Sequence, residues 1–269
     1  MPLTRPPEPK WRWKQPRHPF PETPGANGAF LGPSGSGKSY ALTSLVLTEY
    51  KKVFQEIHVF SPSHGLDSIW DEVEKHAKGL ETADFKSTFH DRFDEEALTE
   101  ILKKQRDRVT RLKQRKSQDY LPQILVCLDD LADTGAMHQA HNTITSLAIR
   151  GRHLGVSTWL SVQKLSTIHP TIRANPVAIL CWALRNRKEL WDGLIYELSN
   201  VADPKTLLAM YDMATSQKHS FWYVNLRHLP AEFYINFDEQ MLVERKVSDE
   251  PPEPPAKRAR DDEPPADEA

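Results

Sequence analysis

Gly32-Pro33-Ser34-Gly35-Ser36-Gly37-Lys38-Ser39 is the stretch whose reading decides the fold. It fits G-x-x-x-x-G-K-[ST] at every fixed position, the pattern of a phosphate-cradling P-loop. Glycines let the backbone turn tightly, so successive N–H groups point at the β-phosphate of a nucleotide with no Cβ in the way. Lys38 adds a point charge for the β- and γ-phosphates, and the Ser39 hydroxyl is placed to ligate Mg²⁺. Gly32 through Ser39, with Tyr40 directly after them, are the candidate ATP-binding residues. A Gly/Ser-rich surface loop matching by chance would lack the right flanks. Here Ala29-Phe30-Leu31 is a short apolar strand running into the loop, and from Tyr40 to Thr48 apolar residues recur at helical spacing.

Downstream, Pro122 precedes Ile124-Leu125-Val126-Cys127-Leu128-Asp129-Asp130. An apolar run ending in two carboxylates describes a buried parallel strand whose C-terminal edge faces the site. Asp129 is placed to hold Mg²⁺ through its water shell, as the Walker B acid does. Asp130 is then the candidate to orient and deprotonate the attacking water. Such a run is common alone; about ninety residues after a P-loop it gains specificity. Val156 to Val162 is another apolar strand, ending on Gln163, whose amide suits contact with the γ-phosphate or the lytic water.

The intervening chain alternates. Glu56-Ile57-His58-Val59-Phe60 reads as a strand closed by the turn Ser61-Pro62-Ser63. Helices are expected from Asp67 to His76, from Gly135 to about Arg150, briefly within Ile168 to Asn175, from Leu190 to Leu198, and from Pro204 behind an Asp203 cap. Val177 to Leu184, Phe221 to Val224 and Phe233 to Ile235 read as strands, whereas the stretch holding Phe85, Phe89 and Phe93 is less regular. Strands alternating with helices argue for an α/β fold with a mainly parallel sheet covered on both faces. Between Glu95 and about Gln118, Leu98, Ile101, Leu102, Val109 and Leu112 keep helical spacing, which predicts one amphipathic helix of roughly 24 residues, about 36 Å long. Its other face carries Lys103, Lys104, Arg106, Arg108, Arg111, Lys113, Arg115 and Lys116, interrupted only by Asp107. That face is either merely solvated or tracks phosphates.

Twenty-one prolines in 269 residues cluster at the two ends. Residues 1–26 form a Pro-rich basic arm, 27–245 the P-loop domain, and 246–269 an acidic Pro-rich tail expected to be disordered. In the arm, Lys10-Trp11-Arg12-Trp13-Lys14 interleaves cations with aromatics. It suits stacking on bases or gripping a partner; an arm laid on the protein's own body or a neighbouring subunit is the plainer reading. From Asp249 onward eight acidic residues face three basic ones, so the formal net charge of -2 hides a mildly basic body, which permits a nucleic-acid partner. The tail also holds Lys257-Arg258-Ala259-Arg260, a basic cluster of nuclear-import type that charged tails also produce by chance. Cys127 and Cys181 lie in apolar runs and read as buried free thiols of a reducing compartment. No apolar run approaches a membrane span and the first residues lack a signal-peptide core, so a soluble intracellular protein with no membrane partner is expected.

The P-loop, Leu128-Asp129-Asp130, Gly151-Arg152-His153 leading to Gln163, and Ile172-Arg173-Ala174-Asn175 together resemble the poxvirus-type genome-packaging ATPases of the FtsK/HerA group of DNA pumps. The resemblance spans about Gly28 to Phe237. It implies a RecA-like, additional-strand P-loop ATPase and assembly into a homo-oligomeric ring, hexamer or pentamer. It also implies ATP-driven movement of double-stranded DNA into a preformed capsid, with a capsid or portal-vertex protein as a further partner. Carried over by position, Lys38 and Ser39 bind phosphate and Mg²⁺, Asp129 the metal water, and Gln163 senses the γ-phosphate. The cellular pumps usually have Glu at the position of Asp130. Arg152 or Arg173, with Arg150 a third choice, is the candidate arginine finger presented to a neighbour's ATP. Two other readings compete: a P-loop kinase or other nucleotide-metabolising enzyme acting on a small acceptor, and an adaptor that uses ATP binding only as an assembly switch.

Overall fold

The computed structural model describes residues 12–17, 20–114, 120–131, 135 and 143–242. In chain order the elements are β1 (Gly28–Leu31), α1 (Lys38–Leu47), β2 (Glu56–Phe60), α2 (Asp71–Leu80), β3 (Thr88–His90), α3 (Glu95–Gln114), β4 (Ile124–Asp129), α4 (Thr143–Arg150), β5 (Val156–Val162), α5 (Pro170–Arg173), β6 (Ala178–Trp182), α6 (Arg187–Glu189, continued by a π-helical turn over Leu190–Ile195), α7 (Pro204–Ala214), β7 (Phe221–Asn225), β8 (Glu232–Ile235) and β9 (Glu239–Met241). Trp11, Arg115 and Lys116, the first turns of the helix expected from Gly135, and the tail with its Lys257-Arg258-Ala259-Arg260 cluster lie outside the described residues.

Among the described residues nine strands form one sheet in the order β3-β2-β4-β5-β1-β6-β7-β8-β9. The pairs from β3 through β6 are parallel, and β7, β8 and β9 are antiparallel additions. The expected α/β architecture with a mainly parallel sheet is therefore the observed one. Its central strands are buried along their whole length because both faces are covered. In β4, Ile124, Val126 and Leu128 enter one core with α3, α4, α5 and α7, while Leu125 and Cys127 enter the other with α1 and α2. The alternation is the period of two that a strand imposes. The second core is aromatic: Tyr50 and Phe54 stack at 5.4 Å, and both meet the Trp159 ring edge-on. Both cysteines are buried and free. At α7, Asp203 accepts hydrogen bonds from the Lys205 and Thr206 N–H groups, with Pro204 opening the helix as its sequence predicts. Among the described residues no helix is long and apolar enough to cross a membrane.

One strand lies between the P-loop strand and the strand of carboxylates. β5 pairs with β1 on one side and β4 on the other, with Leu31 beside Val162 and Asp129 beside Ser161. The tips of three parallel strands thus lie side by side, and each delivers a polar group to the same edge.

Two expectations need correction. Residues Thr88–His90, in the less regular stretch, form an edge strand paired with β2. Arg108 does not belong to the exposed charged face of α3: its guanidinium is buried and donates to both carboxylate oxygens of Glu56, at 3.0 and 3.2 Å. Lys103, Lys104, Arg106, Arg111 and Lys113 do remain exposed.

Candidate active site

The loop from Gly32 to Gly37 turns over the tip of β1. Gly35 (φ 76°) and Gly37 (φ 107°) adopt left-handed backbone that an L side chain rarely tolerates, which is why the motif needs glycine there. Gly37 caps α1, so the free N–H groups of that helix open toward the loop. The underside of the loop is packed. A Cβ on Gly32 would come within 2.9 Å of Trp182 Cβ, and the Trp182 indole N–H donates to the His219 carbonyl at 3.1 Å. Lys38 is buried, and its ammonium donates to the Gly32 and Pro33 carbonyls at 2.8 and 3.0 Å. Burial lowers its pKa, opposed by the charges of Asp130 and Asp129.

Across from the lysine stand the two carboxylates. Asp129 is 3% exposed; its Oδ2 accepts from Ser61 Oγ at 3.0 Å and lies 3.5 Å from Ser39 Oγ. Burial pushes its pKa above the usual carboxylate range, partly offset by the Ser161 and Ser61 hydroxyls, reinforced by Asp130 and opposed by Lys38. Asp130 follows in left-handed backbone (φ 50°), with its N–H bonded to the Ser161 carbonyl, so its carboxylate turns away from the strand axis into the open. There the Gln163 amide, from the tip of β5, donates to both of its oxygens at 3.0 Å.

A cleft of about 530 Å³ is lined by Lys38, Ser39, Asp129 and Asp130, with Ser63 and Leu66 on the far wall. Tyr40 stands exposed at its mouth. Ser39 and Asp129 offer two hard oxygen donors side by side next to a phosphate cradle. That suits Mg²⁺, which keeps most of its shell for water and phosphate oxygens.

The chain's sequence between residues 25 and 226 matches the model of a protein family described as "Poxvirus A32 protein". The chain belongs to that family. It is a P-loop ATPase of the viral group that the four motifs resemble, with a site built to bind nucleotide. Among solved structures, the DNA-packaging ATPase B204 from Sulfolobus turreted icosahedral virus superposes with a TM-score of 0.52 at 14% identity, over 77% of this chain and 96% of that one. The genome packaging NTPase B204 from Sulfolobus turreted icosahedral virus 2, in complex with sulfate, gives 0.50 at 13% identity over 83% and 100%. At such identities the likeness shows the shared fold. No curated protein sequence matches.

In this A32-family chain the two candidate arginines occupy different ends of the sheet. Arg173 lines a second cleft, of about 540 Å³, together with Pro33, Ser34 and Gln163, and its Nε lies 3.2 Å from Glu197. Arg152 is exposed just before β5, at the opposite edge. Arg150 lies at that edge as well. Seven residues of β5 separate Arg152 from Gln163, about 23 Å at 3.3 Å per residue. Ser61, in sequence only part of a turn, is a further residue of the site. A hydroxyl at the tip of the strand beside β4 was the signal, and it became readable once β2 and β4 were known to be neighbours.

Proposed function

We propose that this protein is an ATP-hydrolysing translocase of double-stranded DNA, the motor that packages a viral genome into a preformed capsid. The observation that carries the proposal is the Gln163 amide holding both oxygens of Asp130 opposite the P-loop, on a strand inserted between β1 and β4. ATP lies in the cradle from Gly32 to Ser39. Ser39 and, through water, Asp129 would hold Mg²⁺, whose charge would neutralise the phosphates. Asp130 accepts the proton of the attacking water, and Gln163 couples that carboxylate to the γ-phosphate. Loss of the γ-phosphate frees Gln163 and so offers a two-state element at the tip of β5.

The motor works as a homo-oligomeric ring of the hexamer or pentamer class, inside the host cell, on a duplex gripped through its phosphates without sequence preference. A capsid or portal-vertex protein is its docking partner. Arg152 is the trans finger, because across the span of β5 it reaches no nucleotide in its own subunit. Arg173 lines its own subunit's cleft. The boundaries proposed for the working parts are the arm 1–26, the ATPase domain 27–245 and the tail 246–269.

Displacement of a triplex-forming strand from a DNA duplex tests the proposal. The wild type should displace the strand with ATP. The Asp130→Asn variant should bind ATP and assemble but not displace it, with turnover lower by about 10²–10⁴-fold. An Asp130→Asn protein that displaces the strand normally would remove Asp130 as the base, and a wild type that binds ATP and assembles but displaces nothing would show ATP to be only an assembly switch. Transfer of phosphate to a small acceptor would make the protein a kinase.

A further inference from the structure

At the sheet edge opposite the nucleotide cleft, exposed cations converge from two separate segments. The arm lies along the starts of β4 and β5. The Leu121 N–H donates to the Arg12 carbonyl at 3.1 Å, and Gln123 Nε2 donates to the Lys14 carbonyl at 2.8 Å. Trp13 is wedged against Gly155, whose added Cβ would stand 2.4 Å from the indole ring. Farther along, the Tyr50 hydroxyl donates to the Pro21 carbonyl at 2.8 Å, tying the arm to the end of α1 just before Lys51 and Lys52. The turn after those lysines closes on the same edge: the Gln55 N–H donates to the Gln123 carbonyl at 2.8 Å, and the Gln123 N–H donates to Gln55 Oε1 at 2.6 Å.

Arg12, Lys14, Arg17, Lys51 and Lys52 are all exposed on these two segments, whose described carboxylates are Glu22 and Glu49. Among the described residues none of the five lies within ion-pair distance of a carboxylate. Lys75, Lys78, Lys104 and Arg187 each have an acidic partner, whereas Lys103, Arg106 and Lys205 are exposed without one among the described residues, so it is the convergence of the five on one edge that sets them apart.

We propose that this edge is a contact surface for the phosphate backbone of duplex DNA, an inference that rests on the motor reading above. β2, β4 and β5 are successive neighbours, so their starts span about 10 Å at roughly 4.8 Å per strand. With side chains extended, that reaches phosphates on both sides of a groove about 12 Å wide. The half-buried Trp13 is committed to packing on Gly155, so the edge offers charge without a stacking platform. Charge alone favours the denser phosphate array of a duplex over a single strand and reads no sequence. The strands separate this surface from the triphosphate cradle of the same subunit.

The test is fluorescence anisotropy of a labelled 30-base-pair duplex, and of a single strand of the same length, with the full chain at several salt concentrations. The variant Lys14→Ala/Lys51→Ala/Lys52→Ala should bind the duplex more weakly, and its slope of log K against log salt should be shallower by about 2.7, at about 0.9 per lost contact. Turnover of ATP without DNA should stay at the wild-type level. The Arg-for-Lys triple variant and Lys75→Ala/Lys205→Ala should both bind as the wild type does. A wild-type slope in the alanine triple, weak binding by the arginine triple, or preference for the single strand would overturn the surface. A wild type that binds no duplex at any salt would overturn the motor reading itself, and the surface with it.

Discussion

Burial works against charge at Asp129. A folded-state pKa raised above the unfolded value of about 3.9 means that this carboxyl contributes stability below that value and loses it as pH rises through the folded pKa. Once ionised, Asp129 in the nucleotide-free protein is a destabilised anion, which a bound Mg²⁺ would relieve. Asp129→Asn, which cannot ionise, should raise the melting temperature of the nucleotide-free protein and remove Mg²⁺-dependent nucleotide affinity. In the wild type, affinity for Mg²⁺ and nucleotide should tighten as pH rises through that raised pKa, with release of a proton. Calorimetric titration from the usual carboxylate range upward in pH reads both, and an affinity indifferent to pH, with an unstabilised Asn variant, would contradict the assignment. Asp129, Asp130, Gln163 and the P-loop were legible at this scale because each ends or follows an unmistakable apolar run. Ser61 was not, since its role depends on which strands pair.

Among elements, α3 shows where pattern reading misled. Gln105 and Arg108 continue the buried row Leu98, Ile101 at spacings of four and three, so the core register itself marked them as inward. Reading by residue type placed Arg108 outside. In the structure it also donates to the Asp84 carbonyl and covers the Phe85 ring at 4.3 Å, tying the segment before β3 to β2. β3 escaped notice because three half-buried residues carry no alternation, and β9, Glu239–Met241, because its side chains are largely exposed. Burial alone would raise the pKa of Glu56, but hydrogen bonds from His58, Arg108 and the Lys86 N–H hold it below the usual range. Its contribution to stability is present above the unfolded value of about 4.3 and is lost as pH falls through the folded pKa. Arg108→Ala strands that carboxylate and should cost about 3–5 kcal/mol in urea unfolding at neutral pH. The loss should shrink in acid. A change under 1 kcal/mol would show that the pair is solvated rather than buried.

For the whole molecule, alternation of strands and helices announced the class, but spacing does not say which strands are neighbours. The resemblance implied the inserted strand, and the order β4-β5-β1 realises it. Two ends follow from that order: a nucleotide edge with Lys38, Asp130 and Gln163, and a far edge with Arg152. If Arg152 serves a neighbour's nucleotide, Arg152→Ala and Lys38→Ala proteins should each lose turnover, the first by 10³-fold or more. Mixed, they should regain activity that neither has, because some interfaces then pair an intact cradle with an intact finger. Failure of every mixture would place the finger elsewhere, with Arg173 the next residue to test. The central claim, that this site hydrolyses ATP in the service of moving DNA, is tested most directly by the rate of phosphate release with and without duplex DNA. The expected result is a rate that rises with duplex and vanishes in Lys38→Ala; a wild-type rate indifferent to duplex would contradict it.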